Sequence, residues 1–85
     1  MRIRQMYNKL EKHHTAYTSY IGDLSAKLSD FIKFDFFIFY QESDGFVVAT
    51  DELNDLCDNA PLSDCISVIE EKGELTLNDY DKICI

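Results

Sequence analysis

The chain has 85 residues, 46% of them hydrophobic, with six Phe, five Tyr and a formal net charge of −8. That length supports one domain whose modest core buries about 64% of the surface the unfolded chain would expose, and the apolar content excludes intrinsic disorder. So acidic a chain repels phosphate backbones and anionic lipid, which argues against direct binding to nucleic acid or membrane, and no run approaches the roughly 18 apolar residues of a membrane span.

The first element is a helix. Ile3, Tyr7, Leu10, His14, Tyr17, Ile21, Leu24, Leu28 and Phe31 alternate by fours and threes, a heptad seam. Residues 1–33 carry six Lys or Arg against three Asp or Glu, a net of +3, while residues 34–85 carry two against thirteen, a net of −11. A mildly basic helix thus precedes a strongly acidic body. A straight helix over residues 2–29 would be about 42 Å long, more than the diameter of about 30 Å of a compact domain this size. It therefore either breaks at Gly22–Asp23 or lays its overhanging end on another molecule. The seam runs through Gly22 without a change of phase, which favours continuity.

"FIKFDFFIFY", residues 31–40, places Ile32, Phe34, Phe36, Ile38 and Tyr40 at period two and reads as a strand. Its other face turns aromatic at Phe37 and Phe39. "ESDG" supplies a tight turn and "FVVAT", residues 46–50, the returning strand of a β-hairpin.

Thr50 caps a short helix over 51–58. Pro61 opens another, in which Leu62, Cys65, Ile66 and Ile69 share one face and Gly73 marks the end. The alternative makes "CISVI" and "ELTL" a second hairpin. The tail, ending in "KICI", reads as a closing strand. The expected fold is α+β: a long N-terminal helix, a β-hairpin, one or two short helices and a C-terminal strand, with the helices on one face of a small antiparallel sheet. The single domain divides into a helical segment 1–30, the hairpin 31–50, short helices 51–73 and the closing strand 74–85.

The candidate sites follow from charge and exposure. Adjacent His13 and His14 point about 100° apart on a helix and cannot chelate one ion together. Cys57, Cys65 and Cys84 lack zinc-ligand spacing. Neither a metal nor another cofactor is expected. With three glycines the chain carries no nucleophile elbow and no phosphate loop, and no enzyme activity is expected. An odd cysteine count favours reduced thiols and a cytoplasmic setting, and the opening Met-Arg-Ile-Arg leads into no apolar signal segment.

Asp51, Asp55 and Asp58 share one helix face, and with Glu70, Glu71 and Glu74, extended by Asp64, they form a candidate acidic docking surface. Phe37 and Phe39, joined by Val47 or Ala49, are candidate apolar anchors on an uncovered sheet face. Tyr7, Leu10, His14, Tyr17 and Ile21 are candidates for self-association along the seam, with His14 a pH-sensitive polar position in it.

The functional expectation is a small acidic, non-enzymatic module that docks on a basic surface of a partner protein and inhibits or modulates it. A nucleic-acid-binding protein is the natural candidate, since a row of carboxylates imitates phosphate spacing as a DNA mimic would. In size and acidity the chain resembles the small inhibitors that phages encode to block host defence or nucleic-acid enzymes, a resemblance of general character that covers no motif. The alternative is a self-associating adaptor, a homodimer through the N-terminal helix.

Overall fold

The computed structural model describes residues 2–13, 18–50 and 59–84. The heptad pattern forms two helices, α1 (Arg2–His13) and α2 (Thr18–Leu28). They pack on each other, with Ile3 and Leu10 of α1 buried in one cluster with Leu24 and Leu28 of α2. This corrects the single rod. A continuous helix over residues 2–28 would be about 40 Å long, whereas the longest dimension of the molecule is 32 Å. A seam of apolar residues needs a facing surface, and the chain's own second helix supplies it. Gly22 breaks nothing: it lies inside α2, where an added β-carbon would meet no atom within 4 Å.

Beyond α2 the chain turns tightly, the Ile32 amide donating to the Leu28 carbonyl at 2.8 Å. Residues 31–36 are not the regular strand the alternation predicts. Ile32 makes a single parallel bridge to Leu75, formed by Lys33 N–H to the Leu75 carbonyl and Leu75 N–H to the Phe31 carbonyl, both 2.9 Å. The apolar even positions still serve the core, since Ile32 and Phe34 are buried. The regular strand β1 is shorter, Phe37–Gln41, and pairs antiparallel with β2 (Gly45–Ala49) from Phe37 opposite Ala49 to Gln41 opposite Gly45. Gly45 takes a φ of 76°, a left-handed conformation that favours a residue without a β-carbon.

The third strand is β3 (Asn59–Pro61), antiparallel to β2, so the sheet order is β1-β2-β3. Helix α3 (Leu62–Lys72) starts directly after Pro61 and buries Leu62, Cys65, Ile66 and Ile69, which removes the second-hairpin alternative. It ends at Gly73, φ 82°, whose N–H donates to the Ile69 carbonyl at 2.7 Å.

The expected C-terminal strand over 74–85 is corrected too, because Leu77–Ile83 forms helix α4. Its cause is a capping box: the Thr76 hydroxyl accepts from the Asp79 amide and the Asp79 carboxylate accepts from the Thr76 amide. These local bonds satisfy orphan donors of the first helical turn and outweigh the strand preference of the Ile-Cys-Ile tail.

The architecture is α+β, with helices packed on an antiparallel sheet. The main core lies on the sheet face of Ile38, Val48 and Ala60, against α1–α4. Cys65 is a free thiol inside it, pushed up to about 12 mainly by burial and then by Asp64. Cys84, against the expectation of three reduced thiols, is disulfide-bonded, with its partner outside the described residues. Among the described residues no helix is long and apolar enough to cross a membrane.

Candidate protein-docking surface

The strand period sends Phe37 and Phe39 to the sheet face away from the main core. Their rings stack at 6.0 Å with 28° between planes, Phe37 47% exposed and Phe39 half-buried. Val47 and Ala49, expected to widen this patch, do not: they stand opposite Phe39 and Phe37 in the ladder but are 0% and 5% exposed. Cross-strand pairing explains part of this, since a small residue on a central strand lies between its two neighbours. The patch is therefore narrow and sits at the sheet's rim. Tyr40, 40% exposed, lies on the other face of the same strand, edge-on to Phe46 at 5.0 Å.

The acidic candidates divide. Asp51, Asp55 and Asp58 lie outside the described residues. Glu70 is not free: Arg4 clasps it from α1, Nη2 to Oε1 at 2.7 Å and Nε to Oε2 at 3.3 Å, with a third donation from Arg4 to the Ser67 hydroxyl at 3.0 Å. This two-bonded geometry holds the Glu70 carboxyl below its ordinary range and raises the Arg4 guanidinium. Glu70 thus fastens α1 to α3 and leaves the docking surface. Glu71 and Glu74 are exposed and make no ion pair among the described residues. Asp64 is exposed as well and lies one heptad before Glu71, on the helix side away from Leu62, Cys65, Ile66 and Ile69.

One carboxylate that charge counting passed over is structural. Asp79 is buried, and Lys72 reaches its Oδ1 at 2.6 Å. Lys72 first, and then the Thr76 amide, hold its carboxyl down at about 2.

The self-association residues are largely spent inside the molecule. Leu10 is 2% exposed in the core, and Tyr7 and Ile21 are partly buried against it. The Tyr7 hydroxyl donates to Glu11 Oε1 at 2.7 Å and is pushed up to about 12, first by burial and then by that bond. His14 and Tyr17 lie outside the described residues. The heptad face is thus an internal packing surface along α1.

Open grooves lie among the described residues. One, of about 560 Å³, runs between α2 at Gly22, Ser25 and Ser29 and the segment Phe34–Phe36; another lies between Met6 of α1 and Asp23 and Lys27 of α2. Sequence reasoning missed Arg4 as a clasp and Tyr80 as a buried anchor, and only the Thr76-Leu-Asn-Asp79 spacing, a capping pattern, pointed toward α4. No family model, no curated protein and no solved structure matches the chain.

Proposed function

We propose that the chain is a non-enzymatic protein-binding module that docks on a basic surface of a partner and modulates it. The observation that carries this reading is the exposed Phe37 ring, stacked on Phe39, in a stretch without a single basic residue between Lys33 and Lys72. An apolar anchor in acidic surroundings suits a partner whose contact patch is basic with an apolar centre. Asp64, Glu71 and Glu74 supply further free negative charge for steering. Nucleic-acid-binding proteins present such basic patches and are the partner class we favour. The buried Cys65 thiol, held protonated, supports a binding role over nucleophilic chemistry.

The test is capture from a lysate of the source organism on immobilised chain at about 50 and 300 mM salt. The expected result is a basic protein retained at low salt, released at high salt, and lost from the Glu71→Gln/Glu74→Gln variant and from Phe37→Ala. Retention indifferent to salt and to both variants overturns the reading.

A further inference from the structure

The groove between α2 and the segment leading into β1 has an apolar side and a single charge. Ile32 and Phe34 on that side are buried in the core, and Phe36 is half-buried. The α2 wall is made of short side chains, with Gly22, Ser25, Ala26 and Ser29 at i, i+3, i+4 and i+7 on one side of the helix. Residues this small leave an open space of about 560 Å³ before the aromatic segment. The one charged residue in the lining is Asp35, which is exposed. Among the described residues its carboxylate accepts no hydrogen bond and joins no ion pair; the Thr50 hydroxyl donates to the Asp35 backbone carbonyl instead, at 2.6 Å. Ser29 donates to the Ala26 carbonyl at 2.6 Å, which keeps the lone pairs of its hydroxyl for an incoming donor. Lys33, a neighbour in sequence, donates to the Asp30 carbonyl at 3.3 Å and does not line the groove.

We infer that this groove receives an arginine side chain of the basic partner, its guanidinium laid against Phe36 and paired with the Asp35 carboxylate. This rests on the proposed function and specifies where that partner is read. Aromatic carbon, unused hydroxyl acceptors and one anion together select a flat cation with several donors. Guanidinium is planar, holds its N–H donors in a rigid fork, pairs with a carboxylate through parallel hydrogen bonds and stacks on an aromatic face. Lysine matches the charge but not the plane. An anionic ligand would meet Asp35 as a like charge, with Asp23 and Asp30 in the neighbouring groove across Ala26. A second copy of this chain is the poorer occupant, because the chain has only two arginines and Arg4 is spent on Glu70.

The test titrates the full-length, nitrogen-15-labelled chain with millimolar acetyl-Gly-Ser-Arg-Ser-Gly-amide. A citrulline peptide keeps the shape of the side chain and removes its charge; a lysine peptide keeps the charge and removes the plane. The expected result is saturable binding of the arginine peptide, with shifts centred on the amides of Gly22, Ser25, Ala26, Asp35 and Phe36. The citrulline peptide should bind about tenfold more weakly or worse, and the lysine peptide more weakly than arginine. Asp35→Asn should weaken the arginine peptide by about tenfold at an unchanged thermal midpoint, since Asp35 is exposed. Gly22→Leu builds a side chain where an added β-carbon meets no atom within 4 Å, and should abolish the shifts by filling the groove. The three peptides test the site without any variant. Shifts that are absent, or centred on residues 64–74, overturn the groove and leave the acidic-docking reading in place. Equal binding of the arginine and citrulline peptides overturns the proposal in favour of a neutral ligand. Equal binding of a peptide with Glu in place of Arg overturns the basic-partner reading itself.

Discussion

The hydroxyl of Tyr80, fully buried on α4, donates a 2.9 Å hydrogen bond to the carbonyl of Val48 in the central strand, 32 residues away in sequence. Its ring also meets Phe34 edge-to-face at 5.3 Å. One side chain therefore ties the C-terminal helix to the sheet and to the segment leading into β1, the strand that carries the Phe37–Phe39 pair. Removing only the oxygen, Tyr80→Phe, keeps the ring packing and deprives a buried carbonyl of a donor. The expected cost is about 1–2 kcal/mol, read from the urea midpoint at unchanged slope.

Two glycines should respond to alanine in opposite directions. Gly22 sits in mid-helix with open space around the missing β-carbon, so Gly22→Ala should stabilise by about 0.5–1 kcal/mol. Gly73 holds a φ of 82° at the end of α3, so Gly73→Ala should destabilise by about 1 kcal/mol or more. Parallel denaturant titrations of the two variants check both signs. A Gly22→Ala that destabilises would contradict the continuity of α2.

Asp79 makes acid stability predictable in sign. Its carboxyl ionises near 3.8 in an unfolded chain and at about 2 beside Lys72 and Thr76 in the folded one. A depressed folded value contributes stability that is complete above about pH 4 and is lost as the pH falls toward 2. Asp79→Asn should therefore reduce the slope of unfolding free energy across pH 4 to 2. Circular-dichroism melts at half-unit pH steps measure it.

Cys65 should resist alkylation. Its thiol is buried and pushed up to about 12, so almost no thiolate exists at pH 8. Iodoacetamide should label Cys65 only as fast as the molecule opens, and peptide mapping after a timed exposure reads that rate. Rapid labelling under native conditions would place the thiol at the surface.

The N-terminal pattern was legible as apolar seam and as helix. The position of its partner was not. Nothing in the spacing of Ile3, Leu10, Leu24 and Leu28 distinguishes a seam facing another molecule from one in which the first half faces the second. The hairpin's turn and the α3 face could be read because Asp44-Gly45, Pro61 and Gly73 act through local backbone geometry. The tail misled because Ile-Cys-Ile has strand propensity, whereas Thr76 and Asp79 make hydrogen bonds to specific amides of a helical turn. Of the candidate site, Phe37 was legible as an alternating aromatic. The burial of Val47 and the capture of Glu70 by Arg4 were not, since the partners in those contacts lie far along the chain.

By itself the sequence determined the mixed helix and strand content, the turn positions, the acidic body and the absence of basic residues from 34 to 71. These depend on neighbours within a few positions, or on composition alone. Only the tertiary structure decided that α1 turns its seam onto α2, that Glu70 is a clasp and not a free charge, and that β2 is the central strand of the sheet. Each of those outcomes is a choice among distant surfaces of similar chemistry, and packing the whole chain into one core is what selects between them.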